Sequence, residues 1–203
     1  MITGVVLAAG LGTRMGSPKT LLAIGGEPAL ARIVRRLRAA GIDRPVVVLG
    51  QRHEDVVAQV DLADCRVVVN PDPARGLSSS LRLGLASIEG SAEGALVLPV
   101  DMPAISIATI QAVLAAAENG ARIAAPVYGS RRGFPVYLAR ACFDELEQSL
   151  SGDRGARDYL AAHPADLVAV EVDDPGCVLD LDTPEDVERL RAYERRVPCD
   201  TSA

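Results

Sequence analysis

The 203-residue sequence predicts an α/β fold: a single-domain, three-layer α/β/α sandwich on a mostly parallel sheet with a mixed edge. Three observations predict it. Short apolar runs rich in β-branched residues alternate with stretches whose apolar residues recur at helical spacing, the rhythm of a parallel sheet covered by helices on both faces. The runs are continuous, as strands buried on both faces require. The composition, 49% apolar with only 3% aromatic, supplies one sizeable core of ordinary soluble character.

The elements follow in order. Ile2-Thr3-Gly4-Val5-Val6-Leu7 reads as a buried strand. A glycine-rich loop follows it. A helix is expected over 28–40, with Leu30, Ile33, Val34 and Leu37 on one face and Pro28 in its first turn. Strand 45–49, a short helix over 53–60 and strand 66–69 come next. The turn-rich stretch 70–76 leads into a helix carrying Leu77, Leu81, Leu85 and Ile88, then strand 95–98 and helix 107–117. From there the rhythm changes. The strands over 122–127 and 133–138 lie too close together for a helical crossover, so the sheet is expected to be mixed at that end. Short helices over 141–150 and 155–161, a last strand over 166–172 and a closing helix over 184–195 capped by Thr183 complete the domain. Residues 1–196 are expected to form that domain, in two halves, 1–103 and 104–196. Residues 197–203 are expected to be a flexible tail.

Charge and composition exclude several classes. A net charge of −6 disfavours nucleic acid as the main partner. No apolar run reaches membrane-spanning length, and the N-terminus lacks a charged start of the signal-peptide kind, so no membrane partner is expected. Cys65, Cys142, Cys177 and Cys199 are scattered without metal-ligand spacing, which fits reduced thiols in a cytoplasmic setting. His53 and His163 read as surface residues, and Ser78-Ser79-Ser80 lacks nucleophile-elbow glycines.

The chemistry concentrates after the first strand, in Leu7-Ala8-Ala9-Gly10-Leu11-Gly12-Thr13-Arg14-Met15-Gly16-Ser17-Pro18-Lys19. Clustered glycines bring backbone N–H groups close to a ligand, and two cations join them, which makes an anion cradle suited to a nucleoside triphosphate. Lys19 is the only lysine of the chain. Arginine serves wherever a generic cation is wanted, so the compact ammonium is placed there for phosphate oxygens. A dinucleotide fingerprint fails, because the third glycine comes one residue late and the second strand ends without an acid. The P-loop pattern fails because Gly16 and Lys19 are not adjacent. Asp101 ends the fourth apolar strand, where open α/β sheets bind ligands, and a lone carboxylate beside a triphosphate suits Mg²⁺. Asp180 and Asp182 alternate along an extended segment and are expected to diverge, one towards the site and one away.

The glycine loop resembles the L-A-A-G-x-G-x-R-M-G-x-x-K signature of pyrophosphorylase-type nucleotidyltransferases, specifically the molybdenum cofactor cytidylyltransferase and guanylyltransferase branch. Leu179-Asp180-Leu181-Asp182-Thr183-Pro184-Glu185-Asp186 resembles that family's second metal motif, Arg132-Gly133-Phe134-Pro135-Val136 its R-G-H-P-V motif, and Gly152-Asp153-Arg154-Gly155-Ala156-Arg157 its G-D-x-G-A-R motif. Phe134 stands where that motif has histidine. The resemblance implies a nucleotide-diphospho-sugar transferase-like, Rossmann-like fold and transfer of a nucleotide onto a phosphorylated acceptor with release of pyrophosphate. It implies Leu7, Ala8, Ala9, Gly10, Gly12, Thr13, Arg14, Lys19, Asn70, Gly76 and Ser79 as nucleotide-binding residues. Arg14, Lys19 and Asp101 are implied as catalytic residues, and Asp101 and Asp182 as Mg²⁺ ligands. It implies 1–103 as a nucleotide-binding half and 104–196 as an acceptor-binding half, with Arg131, Arg132, Arg154 and Arg157 on the acceptor side. The Ala-Ala-Gly start points to CTP over GTP, with molybdopterin as acceptor and a molybdenum hydroxylase receiving the product. Transfer to a sugar phosphate, or a non-catalytic cofactor-binding chaperone, are the alternatives.

Overall fold

The structure, a computed structural model, describes residues 1–10 and 18–195. Among the described residues the strands are β1 (Ile2–Ala8), β2 (Ala23–Ile24), β3 (Glu27–Pro28), β4 (Val46–Leu49), β5 (Arg66–Val69), β6 (Gly94–Pro99), β7 (Ile123–Tyr128), β8 (Arg131–Arg132), β9 (Val136–Ala139) and β10 (Leu167–Glu171). The helices are α1 (Ala29–Ala39), α2 (His53–Val57), α3 (Leu77–Ala86), α4 (Ile107–Glu118), α5 (Phe143–Ser149), α6 (Arg157–Ala162) and α7 (Pro184–Glu194). The main sheet runs β10-β7-β9-β6-β1-β4-β5, with β8 paired to β7. Pairing around β1, β4, β5 and β6 is parallel, as is β7 with β10. The reversed strand, β9, sits between β6 and β7, third from its end of the sheet. The mixed region therefore lies further in than the rim, because the chain returns in parallel once more to form β10.

Alternation along the strands builds the three layers. Val6, Val47, Leu96 and Leu98 face α1, α2 and α4, whereas Val5, Val48, Ala95 and Val97 face α3, α5 and α6. A strand with apolar residues on both faces buries both, hence the unbroken apolar runs. α1 buries the expected face of Leu30, Ile33, Val34 and Leu37. α4 opens on Ser106, whose Oγ accepts from Thr109 N–H at 3.1 Å, and α7 opens on a reciprocal capping box of Thr183 and Asp186.

A second, two-stranded sheet pairs β2 with β3 across Gly25 and Gly26, at φ 59° and 86°. Both central residues are left-handed, the conformation of a tight hairpin turn that glycine adopts without steric cost. This hairpin carries Ile24, which is buried with Ala29, Ala104, Leu181 and Leu190 in a small core of its own. The expected tail, residues 197–203, lies outside the described residues.

Candidate active site

That small core assembles the site. Ile24 lies five residues after Lys19, Ala104 three after Asp101, and Leu181 directly before Asp182. Burying them together brings three distant chain segments to one point. Hydrogen bonds fix the registry. Leu181 N–H donates to the Asp101 carbonyl at 2.8 Å. Arg36 of α1 donates from Nη1 to the carbonyls of Pro103 and, at 2.9 Å, Ile105, pinning the loop behind Asp101. Asp186 Oδ2 accepts from the backbone N–H of Asp182 at 3.2 Å and of Thr183 at 2.9 Å. The Thr183 hydrogen bond, aided by those backbone donors, holds the Asp186 carboxyl below its usual range.

At the centre the Lys19 ammonium bridges two carboxylates. Nζ lies 3.3 Å from Asp101 Oδ2 and is hydrogen-bonded to Asp182 Oδ1. Asp101 lies in the turn two residues past the end of β6, and Lys19 opens a 3₁₀ turn, Lys19–Leu21. Burial raises the Asp101 carboxyl above the ordinary carboxylate range. Lys19 pulls it down, while Asp182 and Asp180 push it further up. Burial works against the Lys19 charge, but the hydrogen bond to Asp182 and the charges of both aspartates outweigh it and raise its pKa. The cluster thus holds more negative than positive charge in a partly desolvated place.

Asp180 acting on Asp101 corrects one expectation. Residues two apart in an extended segment share a face, so Asp180 and Asp182 do not diverge across it.

These groups open into a cleft of about 650 Å³ at the carboxyl ends of β1 and β6. Leu7, Ala9, Gly10, Lys19, Gly76, Asp101 and Asp182 line it. Ala8 packs into the core behind it. Asn70 and Ser79 form its scaffold. The Asn70 amide donates to Ser79 Oγ at 2.8 Å and Ser80 Oγ at 3.0 Å, and Ser79 Oγ donates to the Gly76 carbonyl at 2.8 Å. Ser80 itself reaches the cleft. Gly12, Thr13 and Arg14 lie outside the described residues.

Several cleft residues carried no assigned role in the sequence, Thr20 and Asp153 among them. Thr20 is buried, lines the cleft, and its Oγ1 has no hydrogen-bond partner among the described residues. Its signal was adjacency to Lys19. Asp153 crosses from the second half, and its Oδ1 accepts from Leu77 N–H at 3.2 Å. Its signal was the flanking pair Gly152 and Gly155, both at positive φ. Gly76 has φ +90°, and a Cβ there would stand 2.5 Å from the Gly152 backbone, so only glycine lets the two segments meet. Phe134 and Arg132, Arg154 and Arg157 line a smaller neighbouring cavity. The remaining acceptor-side candidate, Arg131, donates to the Val178 carbonyl at 3.2 Å.

An open, mostly parallel sheet with a carboxylate-bearing cleft at the carboxyl ends of its parallel strands belongs to the nucleotide-handling α/β class. The chain is a member of the MobA-like NTP transferase domain family, which it matches over residues 4–167. Its fold is that of nucleotidyltransferases. A nucleotidyl transferase from Methanothermobacter superposes with a TM-score of 0.83 at 26% identity, covering 97% of this chain and 98% of the other. The Mycobacterium tuberculosis protein Rv0371c, solved in complex with manganese, superposes with a TM-score of 0.79 at 32% identity over 93% of this chain and 97% of its own. Among curated relatives, nicotine blue oxidoreductase of Paenarthrobacter nicotinovorans is 33% identical over 93% of this chain and 96% of its own length. Molybdenum cofactor guanylyltransferase of Xanthomonas euvesicatoria is 39% identical over 58% of this chain and 56% of its own. The chain is a nucleotidyltransferase by family. No helix of the described residues is long and apolar enough to cross a membrane.

Proposed function

We propose that the cleft transfers CMP from CTP to a phosphorylated, molybdopterin-type acceptor and releases pyrophosphate, for a molybdenum hydroxylase to receive the product. The observation that supports this best is the convergence of Asp101 and Asp182 on Lys19 in a cleft that Ala9 and Gly10 also line. A phosphate monoester is a competent nucleophile, so no protein nucleophile is needed. An acceptor phosphate oxygen attacks the α-phosphorus in line, the bond to the bridging oxygen breaks, and pyrophosphate leaves. Catalysis is then positioning and charge stabilisation.

The donor set fits a divalent cation. Asp101 and Asp182 are hard oxygen ligands already sharing one cationic partner, and Mg²⁺ uses one or two carboxylates with water and phosphate oxygens. Bound there, Mg²⁺ supplies neutralisation of phosphate charge. Lys19 would meet phosphate oxygens in the cleft that Ala9 and Gly10 also line. Arg14 is assigned to the leaving pyrophosphate by its place in the motif. The preference for CTP rests on Ala8-Ala9-Gly10.

The test is a screen of CTP, GTP, ATP and UTP against molybdopterin, sugar phosphates and other small phosphates, reading Mg²⁺-dependent pyrophosphate release. Release with CTP and molybdopterin supports the reading. Release only with a sugar phosphate overturns the acceptor, and tight binding without release would mark a cofactor chaperone. The full-length likeness to nicotine blue oxidoreductase favours a second reading, redox turnover of a nicotine-blue-type substrate. That reading predicts electron-donor-dependent loss of nicotine blue without pyrophosphate.

A further inference from the structure

We infer that one edge of the main sheet pairs with a second copy of this chain, β5 lying antiparallel to β5 about a two-fold axis at Val68. β5 is the last strand at its end of the sheet. Its pairing with β4 decides which of its backbone groups are occupied. The N–H groups of Arg66 and Asn70 donate to the carbonyls of Pro45 and Leu49 at 3.0 and 2.7 Å. Backbone groups alternate along a strand, so the N–H and C=O of Val67 and Val69 point away from β4. Among the described residues no further strand receives them. Such a row of unpaired donors and acceptors is a template for another strand.

The side chains favour a neighbour. Val67 and Val69 are 37% and 39% exposed, on the face they share with Val47 and Leu49. The short helix α2 on that face carries Val57, itself 47% exposed. Large apolar side chains left in water thus gather at this end of the sheet. Lysine, proline or an inward charge within the strand commonly guards an open edge, and within β5 the only charge is Arg66, on the other face. The opposite edge, β10, carries Glu171 and no cation, so a like pairing there gains no ion pair.

The occupant is a second copy because the edge complements itself. With the axis at Val68, Val67 of one copy faces Val69 of the other, and each such pair exchanges both of its N–H···O=C bonds. An axis at Val69 would set Val67 against Pro71, which has no N–H to give. An axis at Val67 would set Val69 against Cys65, outside the strand. Charge selects the same register. Arg66 and Asp72 are exposed and have no ion-pair partner among the described residues. The pairing sets Arg66 opposite Asn70 of the second copy and diagonal to its Asp72, a separation that an arginine spans, and symmetry repeats the contact. Asp64, the acid that comes nearest that Asp72, is already held by Arg38 at 3.3 Å. A two-fold axis uses the same edge of both copies, so the assembly closes as a dimer.

The experiment is sedimentation velocity on the full chain over a concentration series, with circular-dichroism melts of each variant as the control of folding. A ribbon this short lies at the small end of specific interfaces, so the monomer–dimer midpoint is expected at about 10–100 µM. Val69→Lys, on an exposed side chain, sets an ammonium beside Val67 of the second copy and should weaken the dimer at least about tenfold at an unchanged melt. Arg66→Asp should weaken it about threefold to tenfold, and adding Asp72→Arg should restore it, which a change of fold alone would not do. A chain that stays monomeric to about 500 µM would overturn the inference. So would a dimer indifferent to Val69→Lys, assembly that grows past the dimer, or a charge-swapped double variant as weak as Arg66→Asp alone.

Discussion

Asp174→Ala is expected to be among the most destabilising single changes in this chain, although Asp174 touches no substrate cleft. The carboxylate is 5% exposed and accepts four hydrogen bonds. Oδ2 takes Ser106 N–H at 2.9 Å and Thr109 Oγ1 at 2.7 Å. Oδ1 takes Gly176 N–H at 2.9 Å and the Tyr193 hydroxyl at 3.1 Å. It thereby joins the start of α4, the 3₁₀ turn Pro175–Val178 and α7. Alanine removes all four acceptors. Ser106 and Tyr193 are half-buried and can turn to water, but Thr109 and Gly176 are buried. Two buried donors left unsatisfied, at about 1–3 kcal/mol each, give a loss of roughly 2–6 kcal/mol. At about 2–4 °C per kcal/mol for a chain of this size, Tm should fall roughly 4–24 °C. Thermal melts followed by circular dichroism measure this. Pyrophosphate release, assayed well below the new Tm, should also fall at least about tenfold, because residues 174–182 carry Asp182 from this anchor. A Tm within about 2 °C of wild type would refute the reasoning, since it would mean water replaces the carboxylate freely.

Three further outcomes are expected. Lys19→Arg, which keeps the charge, should lower turnover about a hundredfold or more, because a planar fork cannot take the place of a compact ammonium between Asp101 and Asp182; steady-state pyrophosphate release checks it, and near-wild-type turnover would make Lys19 a generic cation. Gly76→Ala should weaken nucleotide binding by about tenfold or more, since its φ of +90° and the Gly152 backbone 2.5 Å from a Cβ force the loop away from Asp153; calorimetric titration with CTP reads it, and unchanged affinity would contradict it. His163 titrates above its ordinary value because its Nδ1 faces the Tyr159 carbonyl, with burial opposing and Glu145 adding to the rise. A folded pKa raised in this way contributes stability that is fully present below the ordinary histidine pKa of about 6.5 and is lost as pH rises through the folded value. Glu145→Gln should lower the His163 pKa in an NMR titration, where the only other histidine is His53, and an unmoved pKa would exclude the contact.

The layered fold was legible because it is a local pattern repeated. Unbroken apolar runs at β1, β4 and β6 and helical spacing in α1, α3 and α4 each state burial on their own. The β2–β3 hairpin was not legible, since two-residue strands show no period, though Gly25-Gly26 was a turn signal in plain view. The position of β9 depends on which partner a reversed strand finds, a long-range choice that spacing does not encode. Lys19, Asp101 and Asp182 were each marked by their motifs. What unites them is Ile24, Ala104 and Leu181, ordinary apolar residues whose shared burial only the fold reveals. Asp174 carried no motif, because a buried carboxylate is recognised by its donors, and only Gly176 is near in sequence while Ser106, Thr109 and Tyr193 come from other elements.

The measurement that tests the central claim most directly is Mg²⁺-dependent pyrophosphate release from CTP by wild type and Asp101→Asn, side by side with their thermal melts. The substitution removes the charge that faces Lys19 just past the end of β6 and keeps the shape. The account predicts release by wild type only with Mg²⁺ and acceptor present, and a loss of about a thousandfold or more in Asp101→Asn at an unchanged or slightly higher Tm, since burial already disfavours that charge. Near-normal release by a folded Asp101→Asn protein would contradict it.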